Sequence, residues 1–321
     1  MLILNPNPCI DLTFWVNTLV VGSVHRATKN ETTAGGKGIN VARACQTMGS
    51  RPHLFLTLPK LEGDFYKELL ATEGHDVDYL SVPGEVRKAI IVNKDLSADI
   101  TVINGAGPAI SHADWKEFCD EAAKRTSQGE LVLSMGSLPT NFPDDALAQL
   151  NQAIHSVGGK LLIDTAPAAF PSLKNEIVDF ISPNVEEAEA LINKTSGDLF
   201  VPNDENIPER AMAAAEALYG ELAQNVIVTG GSHGCAFKNK DEHWWLPAYT
   251  IPAERYKSAV GAGDSFVAGF AMYLEKHAAN PHWQTAIRYG MATAAASCET
   301  YRAGGFEKSR VLEILGSDAD E

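Results

Sequence analysis

Long apolar runs, paired cysteines, histidines at metal-ligand spacing and an excess of basic residues are all missing from this 321-residue chain. Each absence narrows the function. No stretch of about 18 consecutive apolar residues occurs, so no membrane-spanning helix is expected. The amino-terminal Leu2-Ile3-Leu4 opens on a strand-like segment, without a basic stretch, apolar run and cleavage site before it, and the chain reads as cytoplasmic. Cys9, Cys45, Cys119, Cys235 and Cys298 have no paired spacing, which removes a zinc site and a disulfide framework and leaves five small apolar side chains for a core. His25, His233 and His243 have no ligand spacing either. With 41 acidic against 26 basic residues the formal net charge is −15, which excludes nucleic acid and an anionic membrane as partners. An anionic small molecule would need local lysine, arginine or metal to overcome that field.

What is present suits an α/β protein with a sizeable core, at 45% hydrophobic and 21% charged residues. Short β-rich runs at 131–134, 160–164, 180–182 and 225–229 alternate with helical stretches at 144–155 and 185–192. This is the rhythm of a mostly parallel sheet covered on both faces. The last third turns helical, at 212–222, 265–276 and 283–300, with apolar residues at helix period that belong to the core. Two early regions break the rhythm. Residues 10–16 with 25–29, and 87–92 with 100–103, have strand character, with turn signals at 95–99, and predict a small second sheet. Residues 193–210, polar with two prolines, predict a surface loop.

Two glycine clusters carry the chemistry. Lys257-Ser258-Ala259-Val260-Gly261-Ala262-Gly263-Asp264-Ser265-Phe266 runs into an apolar helical stretch, placing unpaired backbone N–H groups and a carboxylate at a helix N-terminus. Such a turn holds a migrating phosphoryl group, although a tight turn with a capping Asp264 or Ser265 would look the same. Ala34-Gly35-Gly36-Lys37-Gly38-Ile39-Asn40-Val41-Ala42-Arg43 is a second glycine cluster opening a helix, with a cation and an amide in it.

Together the two resemble the ribokinase-like sugar kinases, specifically the phosphofructokinase B group. Within it, Leu4-Asn5-Pro6, Ile10-Asp11-Leu12-Thr13 and Gly22-Ser23-Val24-His25-Arg26 are most similar to the 1-phosphofructokinase and tagatose-6-phosphate kinase branches. The resemblance spans nearly the whole chain. It implies one α/β/α sandwich domain over residues 1–321, with a discontinuous β lid at about 10–33 and 86–104 that also forms a homodimer contact. It implies Asp264 as base and Gly261, Ala262 and Gly263 as an anion hole. Asp11, Gly35, Gly36, Lys37, Asn40, Arg87 and Ser137 fall to the substrate, Lys37 and Arg87 gripping its phosphate. Asn184, Thr229, Gly231 and Gly234 fall to the nucleotide, and Asn184 with Glu187 to Mg2+ through water. ATP and Mg2+ are thereby implied, and a monovalent cation is known in parts of the group. Against the group's pattern, Met135, Ser182, Ala259 and the Val86 of Glu85-Val86-Arg87 are departures.

The expected activity is phosphoryl transfer from ATP to a primary hydroxyl of a hexose phosphate, with fructose 1-phosphate ahead of tagatose 6-phosphate and fructose 6-phosphate. A free-sugar or nucleoside kinase follows if Arg87 points away. A non-catalytic sensor would have lost Asp264 or the magnesium residues, and this chain keeps both. A P-loop is disfavoured because Lys37 is followed by Gly38 rather than Ser or Thr, and a dinucleotide fingerprint because Phe266 stands where its third small residue belongs.

Overall fold

The structure, a computed structural model, describes residues 1–94, 100–195 and 203–316. In chain order, β1 (Leu2–Asn5), β2 (Cys9–Val16) and β3 (Lys29–Gly35) precede α1 (Lys37–Thr47), β4 (His53–Leu61) and α2 (Gly63–Ala71). Then come β5 (Asp76–Glu85), β6 (Arg87–Lys94), β7 (Ile100–Asn104), α3 (His112–Arg125), β8 (Leu131–Met135), α4 (Ala146–Ser156) and β9 (Lys160–Asp164). The chain closes with β10 (Val178–Ile181), α5 (Val185–Ile192), α6 (Ile207–Leu218), β11 (Ala223–Thr229), β12 (Gly234–Lys238), β13 (His243–Pro247), α7 (Ala262–Lys276), α8 (Trp283–Cys298) and α9 (Lys308–Leu315).

Nine strands form one sheet in the order β13-β12-β11-β10-β9-β8-β1-β4-β5, parallel from β5 through β11, with β12 and β13 antiparallel at one edge. Side chains alternate across it. Ile3, Leu133 and Leu162 face a core built with α1, α7, α8 and α9, while Leu2, Leu4, Val132 and Ile163 face one built with α3, α4, α5 and α6. The result is a three-layer α/β/α sandwich. A four-stranded sheet, β3-β2-β6-β7, forms the expected small second sheet.

Several boundaries differ from expectation, two of them most. The second strand of the small sheet is not 25–29 but Lys29–Gly35, pairing antiparallel with β2 from Trp15↔Lys29 to Cys9↔Gly35. Glu31-Thr32-Thr33 carries it straight into the glycine turn. The predicted surface loop ends early, because α6 begins at Ile207 with a proline in its first turn, where the missing N–H costs nothing. The turn signals at 95–99 and the middle of that loop, 196–202, lie outside the described residues.

Helix α7 is seated by aromatics. Phe270, fully buried, meets Phe180 of β10 edge-on at 5.8 Å and Phe266 at 6.4 Å. We expect Phe270→Ala to cost about 3–5 kcal/mol, read as a lower midpoint in urea unfolding with an unchanged slope.

Candidate active site

Parallel strands of one sheet end on one edge, and ligands of such sheets bind there. Here that edge carries Asn5 at the end of β1, Met135 at the end of β8, Asp164 at the end of β9 and Thr229 at the end of β11. Two helices present their N-termini to it. Gly36 precedes α1 with φ 120° and Gly261 precedes α7 with φ 76°, conformations that glycine alone adopts without strain. Crowding adds a second reason: a Cβ on Gly36 would lie 2.5 Å from Asn5 Nδ2, and one on Gly261 would collide with Ala303 Cβ. A Cβ on Gly35 would collide with the Asp11 carboxyl, so β2 and the first glycine turn are in direct apposition. The Tyr66 hydroxyl, donating to Gly35 O at 3.0 Å, pins that turn from below.

Two contacts then join segments far apart in sequence. Asn40 Nδ2 of α1 donates to Asp264 Oδ2 of α7 at 2.8 Å. Lys37 Nζ donates to Asp164 Oδ1 at 2.5 Å. Burial disfavours the Lys37 charge, but Asp164, Glu187 and Asp264 together outweigh it and hold the ammonium well above the usual lysine range. Its side chain as a whole keeps 38% exposure. Asp264 is 6% exposed. Burial pushes its carboxyl up to about 6, opposed by the Lys37 charge and the Asn40 hydrogen bond and reinforced by Asp164 and Asp11. Asp11 is also raised by burial, against the Cys9 thiol donating to it at 3.1 Å and the charges of Arg43 and Arg87.

The sugar-side candidates therefore cluster. Arg87 Nε donates to Asn7 O at 3.1 Å, and the Asn7 carboxamide donates to Ser137 Oγ at 3.0 Å. Gly136 lies 3.6 Å from Lys37 Cβ when a Cβ is built on it. On the other side a cavity of about 670 Å³ is lined by Thr229, Gly231, Gly234, Ala262 and Gly263, with Tyr256, Phe266 and Met291 as apolar walls. An apolar pocket of this size with a polar rim suits a flat heterocycle. Asn184 does not line it. Its Oδ1 accepts from Glu187 N at 2.8 Å while Glu187 Oε2 accepts from Asn184 N at 3.0 Å, a reciprocal cap on α5. Burial raises the Glu187 carboxyl, Lys37 opposes the rise and Asp164 adds to it. Of the three amides in the second glycine turn, Ala262 N–H is engaged, donating to Ala259 O at 3.1 Å.

Four residues of this edge were not singled out from sequence. Asp164 had a signal, a carboxylate closing a strand-like run. Asn5 sits in the resemblance motif without an assigned role and Asn7 lies just past it, and both Asn5 carboxamide atoms are buried without a hydrogen-bond partner. Arg43 had no signal, because its partner Glu73 lies in another element.

A carboxylate and an ammonium at paired helix N-termini, opening on a nucleotide-sized cavity, define a site able to bind and move a phosphoryl group. The chain matches the model of the pfkB family carbohydrate kinases over residues 5–309 and belongs to that family. It is 32% identical over 272 residues to a 1-phosphofructokinase of Xanthomonas campestris pv. campestris, covering 84% of this chain and 82% of that one. It is 26% identical over 276 residues to a tagatose-6-phosphate kinase of Staphylococcus epidermidis, covering 85% of each. Phosphofructokinase-2 from Escherichia coli, solved in complex with fructose-6-phosphate, superposes with a TM-score of 0.83 over 99% of both chains at 22% identity.

The Asp264 carboxyl has a stability consequence. Raised from its ordinary 3.8 to about 6, it favours the folded state below about pH 3.8 and loses that contribution as pH rises through 6. At about 1.4 kcal/mol per unit the whole effect is about 3 kcal/mol, about half of it already lost at pH 5, so Asp264→Asn should gain about 1.4 kcal/mol on the unmodified protein between pH 5 and pH 8. Urea unfolding at the two pH values checks this; a gap that does not widen with pH contradicts it.

Proposed function

We propose that this protein transfers the γ-phosphoryl group of ATP to the 6-hydroxyl of fructose 1-phosphate, giving fructose 1,6-bisphosphate. The observation that carries the reading is the Asn40–Asp264 hydrogen bond at 2.8 Å beside Lys37, which puts a buried carboxylate at a helix N-terminus within one cleft with the sugar-side residues. Asp264 takes the hydroxyl proton as the oxygen bonds to phosphorus, when that proton becomes acidic. Amides of the turn at Gly261 and Gly263, with the α7 dipole, hold the phosphoryl oxygens, and Lys37 neutralises charge on them. Asp11 and Asn40 orient the sugar hydroxyls, while Arg87 grips the phosphate already on the substrate. The adenine side belongs to the cavity walled by Tyr256, Phe266 and Met291.

The residues fit a divalent ion held through its waters. Three carboxylates act on one lysine, yet no group of three acidic, histidine or cysteine side chains able to hold an ion occurs among the described residues. Asn184 and Glu187 would bind its hydration shell, and Mg2+ when bound neutralises the triphosphate.

Tagatose 6-phosphate is the second reading, supported by the 26% identical relative named for it. A coupled assay over fructose 1-phosphate, tagatose 6-phosphate, fructose 6-phosphate, ribose and adenosine should rank fructose 1-phosphate first in kcat/KM. Its acid limb should fall at about pH 6, where Asp264 protonates. Asp264→Asn should lose about 10²–10⁴-fold in kcat with ATP binding intact. No transfer to any of the five acceptors, or full activity of Asp264→Asn, overturns the reading.

The homodimer belongs to the same proposal. Ile90 of β6 and Ile103 of β7 are cross-strand neighbours and are 37% and 57% exposed. A second copy would bury them, and a pair of lysines there would oppose it. Sedimentation should show a dimer for the protein and a monomer for Ile90→Lys/Ile103→Lys.

A further inference from the structure

We infer that Arg43, clamped by Glu73, is a positioning residue for phosphoryl transfer: it fixes the Asn40 carboxamide so that an N–H, and not an oxygen, is presented to Asp264. The inference rests on the reading of Asp264 as the base. A carboxamide has two ends of nearly equal shape and opposite polarity, and either fits the same space. Arginine only donates. Arg43 Nη1 donates to Asn40 Oδ1 at 3.0 Å, which commits that oxygen and leaves Nδ2 for Asp264 Oδ2 at 2.8 Å. The flipped amide would put N–H against N–H at Arg43 and oxygen against carboxylate at Asp264.

The guanidinium is itself immobilised. Nε and Nη2 donate to Glu73 Oε2 and Oε1 at 2.6 and 2.7 Å, and Nη2 also donates to Ala34 O at 2.5 Å. Arg43 and Glu73 side chains are 8% and 9% exposed. Glu73 further meets His75 Nε2 at 3.1 Å and Arg302 Nη2 at 3.1 Å. Burial opposes the Glu73 charge, but these partners hold its carboxyl down at about 2. The Arg302 turn also abuts α1: a Cβ on Gly304 would lie 2.8 Å from Arg43 Cβ and 2.9 Å from Asn40 O. Three acceptors in different directions, Glu73, Ala34 O and Asn40 Oδ1, need the planar fork, which lysine lacks.

An ion pair that merely tied α1 to the end of α2 would leave the chemistry of Asp264 alone. A positioning residue would not. The groups acting on Asp264 are Lys37 and Asn40 from α1, Asp164 from β9 and Asp11 from β2. Of these only Asn40 depends on Arg43 for its orientation, and losing its donated bond removes a contact that favours the carboxylate.

The test is a pH profile from 5 to 9 of kcat and of KM for ATP and sugar phosphate, on the full chain and on Arg43→Lys, Glu73→Gln, Asn40→Ala, Asp264→Asn and Arg43→Lys/Asn40→Ala. Arg43→Lys keeps the charge and loses the fork; Glu73→Gln keeps an acceptor and loosens the clamp, and serves if Arg43→Lys does not fold. We expect either to lower kcat by about 10- to 100-fold, with KM for ATP unchanged and the acid limb moved to higher pH. In the Asn40→Ala background Arg43→Lys should move the limb no further. Folded Arg43→Lys or Glu73→Gln with an unmoved limb and unchanged kcat overturns the inference, as does a full additional shift in the Asn40→Ala background. If Asp264→Asn retains transfer, the reading of Asp264 fails instead; if Asp264→Asn is inactive and the clamp variants are normal, only the role of Arg43 fails.

Discussion

Everything at this site depends on keeping one carboxylate charged where water is scarce. Asp264 lies in the first turn of α7, 6% exposed, and desolvation there favours its protonated form. Three things oppose that: the amide-rich helix N-terminus, the Asn40 N–H and the Lys37 ammonium. Neither of the two side chains is local to Asp264 in sequence. Asn40 and Lys37 belong to α1, and α1 reaches Asp264 only because Gly36 and Gly261 let two backbones turn into the same edge of the sheet. Glycines at these points are thus a consequence of the electrostatics as much as of the turn. A side chain at Gly36 would run into the Asn5 carboxamide and one at Gly261 into Ala303, so neither helix start could keep its place without a shift of its neighbour.

The parts of this arrangement carried by contiguous residues were legible beforehand. A glycine cluster followed by helix-period apolar residues signals a helix start at each of the two motifs, though the second, expected from 265, begins at Ala262, and strands such as 160–164 and 225–229 announce themselves by composition. The second sheet was visible too, though its β3 was expected to start four residues early and to end six residues early, because Gly22 and His25-Arg26 mark a turn region as readily as a strand. The start of α6 was hidden by Pro208, which signals loop in isolation and helix only when its position in the first turn is known.

Pairings across elements were not legible, for a physical reason. Asp164 and Lys37 are separated by 127 residues, and Asn40 and Asp264 by 224. No period or local composition encodes which strand end faces which helix start; that follows from the sheet order, with β1 between β4 and β8. Arg43 illustrates the limit best. On a helical wheel it is an ordinary arginine three residues after Asn40, and only the fold brings Glu73, Ala34 O and the Arg302 turn around it.

The charge of the cluster bears on what can enter it. Asp164, Glu187 and Asp264 all act upon the Lys37 ammonium, which Asp164 engages at 2.5 Å. Within a chain of net charge −15, a triphosphate approaching this edge alone would face carboxylates whose neutralising lysine is already committed. Coulomb repulsion at separations of a few ångströms is not screened in such a cleft. Under the proposed function two adjustments would lower it together: a divalent ion arriving with the nucleotide, its waters held by Asn184 and Glu187, and a shift of the Lys37 ammonium from Asp164 to a ligand oxygen. Each would make the other easier, since added positive charge near the acidic cluster would weaken its hold on Lys37. The acidic cluster would thus disfavour a free triphosphate and favour its metal-bound form, which would let the protein take an anionic substrate pair against its own net charge of −15.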